Sequence, residues 1–122
     1  GEPDTAAMRE AISRVSSGGA VLIFPEGSRT PDGTLQPFNR GVSLLIKKTK
    51  CPVVPVAIDG AHDAWPRGGK PRLFPRKPMT INFGEPIAYD ELMADGADAA
   101  ITTLHDRVAE LLEEIRAYRE QA

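Results

Sequence analysis

AVLIFPEGSRT, residues 20–30, is the stretch that decides the fold of this chain. An unbroken apolar run, residues 20–24, follows two glycines and ends at Pro25. The run is rich in strand-forming residues and is too short for a helix, so it predicts a strand buried on both faces. The polar residues that follow directly place Glu26 and Arg29 at the carboxyl end of that strand. In α/β sheets, ligands bind beyond the carboxyl ends of the strands.

The segments on either side of this stretch predict further helices and strands. Residues 3–19 and 98–119 carry apolar side chains at helical spacing, and residues 41–50 predict a shorter helix with lysines in its last turn. Residues 52–58 predict a second strand. Because proline lacks an amide donor, Pro55 is expected at an edge, an end or a bulge of that strand.

A last strand is predicted over residues 79–84, where apolar and polar side chains alternate. The apolar residues Met79, Ile81 and Phe83 form the face expected to be buried. The resulting order of helix, strand, helix, strand, strand and helix predicts an α/β fold with at least one parallel crossover. At 122 residues, the chain has the length of a single domain, residues 1–122.

Composition narrows the classes of function. The formal net charge of −2 argues against a globally cationic nucleic-acid binder, so no nucleic-acid partner is expected. No apolar run approaches the roughly 20 residues that span a bilayer. Cys51 is the single cysteine, so an internal disulfide bond is ruled out. No spacing of histidine, cysteine and acidic residues predicts a metal site.

The loop after the first predicted strand has the chemistry of an anion site. Gly27 lets the backbone come close to a ligand, and the amides of Gly27 and Ser28 suit an anion. Arg29 offers a planar fork of donors that matches a phosphate, and Glu26 can orient it. The same residues also fit a proline–glycine turn that carries a surface Glu–Arg pair.

Several blocks of the sequence resemble the glycerolipid acyltransferases of the 1-acylglycerol-3-phosphate (lysophosphatidic acid) acyltransferase type. FPEGSR at 24–29 matches the family's Phe-Pro-Glu-Gly-Thr/Ser-Arg signature. PFNRGVSLLI at 37–46 resembles the family's Phe-Lys-x-Gly segment, with Asn39-Arg40 where a lysine is common. CPVVPVAIDG at 51–60 and MTINFGEPI at 79–87 resemble two later blocks. The resemblance covers nearly the whole chain.

The resemblance implies a glycerol-3-phosphate acyltransferase-like three-layer α/β sandwich that acts in phospholipid biosynthesis. A fatty acyl group would pass from acyl-CoA or acyl carrier protein, as co-substrate, to 1-acylglycerol-3-phosphate or a related lysophospholipid. Glu26, Gly27, Ser28 and Arg29 would hold the acceptor phosphate, with Arg40 assisting. Neither a metal nor a further cofactor is implied. The expected location is peripheral, on the cytoplasmic face of the membrane.

One part of the family pattern has no counterpart in the sequence. The family's catalytic block reads Asn-His-x-x-x-x-Asp, whereas His62 and His105 are followed five positions later by Arg67 and Glu110. We therefore expect no catalytic residue here. The chain is expected to be the C-terminal part of a catalytic domain whose N-terminal part is missing. An incomplete sheet would expose an apolar edge and favour self-association.

The same residues leave two other functions open. A serine hydrolase would use Ser28 with His62 and either Asp59 or Asp63, but the Gly-x-Ser-x-Gly elbow is absent. A non-catalytic anion- or lipid-binding module is the second alternative. The basic loop at 59–78 could contact anionic headgroups or the phosphates of the acyl donor, or be a solvated loop.

The arginines of the last helix have a simpler interpretation. Arg107, Arg116 and Arg119 alternate with acidic residues, which predicts a solvated face.

Overall fold

The computed structural model describes residues 5–26, 35–60 and 79–121. Helices and strands are mixed along the chain, which confirms the α/β class. In chain order the elements are helix α1 (Thr5–Ser16), helix α2 (Gly41–Thr49), strand β1 (Val56–Asp59), strand β2 (Thr80–Phe83), helix α3 (Tyr89–Leu92) and helix α4 (Ala97–Gln121). Among the described residues, no helix combines the length and apolar character needed to cross a membrane.

The predicted ends of the first two helices are confirmed by their backbone geometry. After α1, Gly18 adopts a φ of +91°, and the Gly19 amide donates to the carbonyl oxygen of Arg14 at 2.8 Å. After α2, Lys50 is left-handed, and its amide donates to the Ile46 carbonyl oxygen at 2.7 Å. Both turns satisfy carbonyl groups that a helix end leaves without a partner.

The two strands form an antiparallel pair in which Val56 lies opposite Phe83. β1 begins directly after Pro55, whose carbonyl oxygen accepts the Gly84 amide at 2.8 Å. Of the three positions predicted for Pro55, an edge, an end or a bulge, the end is observed; the strand itself is shorter than the predicted 52–58 and covers Val56–Asp59. The predicted parallel crossover is not among the strand pairings of the described residues.

The strand predicted at residues 20–24 is not formed: no strand in the described part of the chain pairs with it. Leu22 and Phe24 are 69% and 66% exposed, whereas Val21 and Ile23 are half-buried. Exposure thus alternates with the period of a strand. A ladder also needs a neighbouring backbone at hydrogen-bonding distance, and the described ranges supply none. The prediction of burial on both faces was wrong for this reason.

The alternation predicted for β2 is confirmed, but its orientation is reversed. Ile81 and Phe83 are exposed, and the polar face lies against α4. The Asn82 side-chain amide donates to the Leu111 carbonyl oxygen and to the Glu114 carboxylate, both at 3.0 Å. The side of α4 that faces β2 thus offers hydrogen-bond acceptors, and the polar face of β2 supplies the donor.

Helix α4 carries the core. Near its start, Ala100 and Leu104 are buried against Ile46 of α2 and the segment that follows the strands. Further along, Leu111 and Ile115 cover β1. α4 therefore connects α2 to the strand pair. The buried apolar residues of the two clusters are Ile46, Ile87, Leu92, Ala100 and Leu104 in the first, and Ala57, Leu111 and Ile115 in the second.

One arginine of α4 contradicts the prediction of a solvated face. Arg119 Nη1 pairs with the Asp59 carboxylate, and Arg119 Nη2 donates to the Thr80 hydroxyl at 2.7 Å. The side chains of Arg119 and Asp59 are only 22% and 18% exposed. Arg119 lies four residues after the buried Ile115, so it continues the apolar stripe and meets the ends of both strands. The solvated face was predicted from the alternation of arginines with acidic residues. The four-residue spacing from Ile115 to Arg119 instead indicates the contact of Arg119 with the strands.

Candidate functional site

The first component of the site is the junction after the apolar segment. The Glu26 carboxylate accepts the Gln36 backbone amide at 2.8 Å, and the contact is partly buried. One residue earlier, the Pro25 carbonyl oxygen accepts the Asn39 amide at 2.6 Å. These two hydrogen bonds join the segment that ends at Glu26 to the described segment that begins at residue 35.

The second component is the turn that begins α2. The Asn39 side-chain oxygen accepts the Gly41 amide at 2.7 Å, and the Ser43 hydroxyl donates to the Arg40 carbonyl oxygen at 2.7 Å. Arg40 occupies the N-cap position of α2 with helical backbone angles. The turn therefore fixes the backbone from which the Arg40 guanidinium extends.

The start of α4 completes the arrangement. Arg40 Nη2 donates to the Asp98 carboxylate in the first turn of α4, and both side chains are 78% exposed. The rings of Phe38 and His105 meet edge to face with centroids 4.9 Å apart. His105 is thus held by an aromatic contact on the turn that precedes α2. The Arg40 guanidinium stays accessible to an anion from solvent.

The structure describes the positions of two of the five predicted site residues, and the binding role of all five stays a prediction. Glu26 and Arg40 both lie where the segment at 25–26 meets the turn at 36–41. Gly27, Ser28 and Arg29 lie outside the described residues.

Two contacts of the site were not predicted from the sequence. The Gln36 amide is a backbone group, which no side-chain pattern identifies. Asp98 lies 58 positions from Arg40, so only the tertiary fold brings them together. An acidic residue in the first turn of a helix is common by itself, because the positive end of the helix dipole stabilises its charge there.

An apolar groove leads away from Glu26. Its volume is about 1270 Å³. Residues 19–26 and 51–60 line it, together with side chains of α1, α2 and α4. Phe24 and Glu26 are both in the lining, so the groove reaches the junction of Glu26 with Gln36.

The described residues include only part of what the alternative chemistries would use. They contain no group of three or more histidine, cysteine and acidic side chains placed to hold a metal ion. For the serine hydrolase alternative, Ser28, His62 and Asp63 lie outside the described residues. The remaining candidate, Asp59, has its carboxylate paired with Arg119.

The contact between Glu26 and Gln36 leads to a prediction with a matched pair of variants. Glu26→Ala removes the acceptor and should speed hydrogen exchange of the Gln36 amide by about tenfold, since a hydrogen bond to a charged group contributes about 1.5–3 kcal/mol and a partly buried one less. Glu26→Gln keeps a side-chain oxygen acceptor and should leave most of that protection. Equal exchange in the wild type and Glu26→Ala, measured by NMR, would contradict the role of Glu26 at this junction.

Comparisons with known proteins find acyltransferases. The profile of the Acyltransferase family matches residues 2–59. The chain is 37% identical over 100 residues to the 1-acyl-sn-glycerol-3-phosphate acyltransferase of Limnanthes alba. That alignment covers 81% of this chain and 35% of the relative. It is 32% identical over 113 residues to the Bacillus subtilis enzyme of the same name, with 89% and 53% covered.

A solved structure is also similar. The 1-acyl-sn-glycerophosphate (LPA) acyltransferase PlsC from Thermotoga maritima matches with a TM-score of 0.77 and 28% identity, over 91% of this chain and 44% of that chain. The present chain therefore spans between about a third and about half of the length of these relatives.

Proposed function

We propose that this chain, which belongs to the glycerolipid acyltransferase family, is the C-terminal portion of an acyltransferase catalytic domain. The whole enzyme would transfer a fatty acyl group from acyl-CoA or acyl carrier protein to 1-acylglycerol-3-phosphate or a related lysophospholipid. Such a reaction belongs to phospholipid biosynthesis. The relatives are named for acyl transfer to this class of acceptor.

The junction at Glu26 is the observation that carries the proposal. Its hydrogen bond to Gln36, with that of Pro25 to Asn39, brings the segments on either side of residues 27–34 together. A segment whose two flanks are held together loses less conformational freedom when it binds a ligand. Glycine, serine and arginine within it are the residue types that bind a phosphate.

Each residue has a distinct part in holding the acceptor. The Arg29 guanidinium would make the two-pronged contact to the phosphate, and the amides of Gly27 and Ser28 would complete the anion site. Glu26 would fix the loop through the Gln36 amide. Arg40 would add positive charge from the start of α2.

The reaction explains why a phosphate site matters away from the reacting atoms. The acceptor hydroxyl oxygen bonds to the thioester carbonyl carbon, the carbon–sulfur bond breaks, and the hydroxyl proton passes through a base to the leaving thiolate. Fixing the acceptor phosphate fixes the hydroxyl relative to the thioester, which replaces a bimolecular encounter by an oriented one. The residues of this chain would supply orientation and charge, and the base would come from the family's histidine block.

We further propose that the enzyme is peripheral on the cytoplasmic face of the membrane. Its acceptor and product are lipids, so the site must open toward a bilayer surface. The basic residues at 67–77, outside the described residues, have the charge to contact anionic headgroups.

Binding of glycerol 3-phosphate tests the placement of Arg40. Arg40→Ala should weaken this binding by only about two- to fivefold, because the side chain is mostly exposed and solvent screens its charge. Arg14→Ala is the matched control, since Arg14 is an exposed arginine that also pairs with an acid, Glu10. Calorimetry should show an unchanged affinity for the control. Equal affinities for Arg40→Ala and the wild type would remove Arg40 from the site.

Self-association of the isolated chain is a further expectation. Phe83 of β2 is 69% exposed and lines the apolar groove, and Ile81 on the same face of β2 is 52% exposed. Contiguous apolar surface of this kind favours contact between copies. Sedimentation should show a mass that rises with concentration, and Phe83→Thr should reduce the rise. Tyr118→Thr is the control, since Tyr118 is 72% exposed but lies on α4. A monomer at all concentrations would contradict the expectation.

A further inference from the structure

Two contacts join the first half of α4 to the turn that begins α2. The Asp98 carboxylate accepts a hydrogen bond from Arg40 Nη2, and the ring of His105 meets the ring of Phe38 edge to face. Positions 98 and 105 are separated by about two helical turns, so both side chains lie on one face of α4. That face therefore holds the turn at two places, Phe38 and Arg40.

The part of α4 that makes these contacts is itself fixed by the core. Ala100 and Leu104, which lie between the two contact residues in the sequence, are buried in one cluster with Ile46 of α2. Asp98 is in the first turn of α4, where the positive end of the helix dipole stabilises a carboxylate. A charged group on a packed helix is a fixed reference point for a longer side chain that reaches it.

Arg40 is held firmly at its backbone but only loosely along its side chain. Hydrogen bonds of Asn39 and Ser43 set the backbone at this N-cap position, whereas the side chain is mostly exposed. A long arginine side chain loses much rotamer freedom when it becomes ordered against a ligand. A partner that already holds the guanidinium reduces that loss at the moment of binding. Asp98 is positioned to be this partner.

The contact with Asp98 leaves the Arg40 guanidinium able to bind an anion as well. The contact is made through Nη2, and a guanidinium carries five N–H donors in one plane. A carboxylate on one edge of that plane leaves another edge for a phosphate oxygen. Because Asp98 also balances the positive charge of Arg40, the contribution of Arg40 to phosphate binding would come mainly from directed hydrogen bonds.

We propose that Asp98 is a positioning residue of the acceptor-phosphate site, which holds one edge of the Arg40 guanidinium so that another edge faces the phosphate. The contact of His105 with Phe38 keeps α4 and the turn at the separation that this requires. Asp98 does not touch the acceptor and acts through Arg40 alone. The inference rests on the proposed function, since it assigns a role within the same phosphate site.

Titration of the 122-residue chain with glycerol 3-phosphate, followed by NMR of the Gly41 amide, tests this role. At about 0.15 M salt, where the Debye length is about 8 Å, Asp98→Ala should weaken binding about two- to threefold, the scale of an exposed ion pair. The loss should not exceed that of Arg40→Ala, because Asp98 acts through Arg40. Asp95→Ala is the matched control, since it removes an exposed acid just before α4, and its affinity should equal that of the wild type.

A double-variant cycle separates positioning from a general effect on the start of α4. In the Arg40→Ala background, Asp98→Ala should cause no further loss of affinity, because the side chain through which Asp98 acts is gone. A purely structural effect of Asp98 would persist in that background. The guanidinium N–H signals of Arg40 give a second readout without ligand. Their exchange with water should be faster in Asp98→Ala than in Asp95→Ala.

Three results would overturn the role of Asp98 and leave the acceptor site standing. In the first, the wild type and Asp98→Ala bind glycerol 3-phosphate equally well. In the second, Asp98→Ala binds it more tightly, which would make the carboxylate a competitor of the phosphate. In the third, Asp98→Ala causes the same loss with and without Arg40. A wild type that shows no phosphate-dependent shift is a different result, which would contradict the acceptor site itself and the role of Asp98 with it.

Discussion

The 122-residue chain by itself is expected to show no acyl transfer to lysophosphatidic acid. Neither histidine has an aspartate at the family's spacing, and the ring of His105 packs edge to face on Phe38. Without a base for the acceptor hydroxyl, general base catalysis worth about 10²–10⁴-fold is lost, as is the alignment that depends on it. Incubation with radiolabelled acyl-CoA and lysophosphatidic acid should give product no faster than a heat-inactivated control.

A positive result in that assay would have a specific meaning. Turnover clearly above the control would show that residues of this chain provide a base, and His62 would be the first candidate. The His62→Ala and His105→Ala variants would then identify which histidine is used. The proposed division of labour, with orientation here and proton transfer elsewhere, would be wrong.

Arg29→Ala is expected to lower kcat/KM for the phosphorylated acceptor by about 10- to 150-fold in an enzyme that carries the whole catalytic domain. This range corresponds to the 1.5–3 kcal/mol of a hydrogen bond to a charged group. Arg29→Lys should recover only part of the loss, because an ammonium group is a point charge and lacks the two-pronged geometry of guanidinium. Steady-state kinetics with varied acceptor measures both effects.

The acyl donor provides the control for Arg29. Its KM should change far less than the kinetic parameters of the acceptor, since Arg29 is proposed to contact the acceptor phosphate alone. Wild-type acceptor kinetics in Arg29→Ala would make Arg29 a structural residue of the turn.

Local patterns were sufficient for the ends of two helices, for the buried stripe of α4 and for one strand end. The glycine pair at 18–19 ends α1 where predicted, and Leu104, Leu111 and Ile115 of α4 are buried as their spacing predicts. The apolar face predicted for α1 is not buried, and α3 was not predicted. Pro55 marks the start of β1 because the loss of its amide donor acts at that position alone. Such features depend on neighbours in the chain, which the sequence displays directly.

Features that depend on distant partners were predicted less well. The segment at 20–24 has the composition of a buried strand, but a strand forms only against another backbone. The apolar face of β2 was expected to be buried, yet α4 offers Asn82 a carbonyl oxygen and a carboxylate. In each case the partner rather than the residue decides the outcome.

The candidate site shows the same division. Glu26 was predicted from the FPEGSR motif and Arg40 from the resemblance of residues 37–46 to a family segment; the structure brings the backbones of these segments together, and the roles of both residues stay predictions. The Gln36 amide and Asp98 could not be predicted, since one is a backbone group and the other lies across the fold. Arg119 was predicted to be solvated because acidic residues flank it in the sequence, but it lies on the buried side of α4 and pairs with Asp59.

An NMR titration of the chain with glycerol 3-phosphate tests most directly whether the loop that Glu26 closes is a phosphate site. The account predicts that the backbone amides of Gln36, Asn39 and Gly41, which lie at the junction and at the start of α2, shift as the ligand is added. Glycerol without phosphate should leave them unmoved. Equal shifts with both ligands, or shifts confined to residues elsewhere in the chain, would contradict the phosphate site.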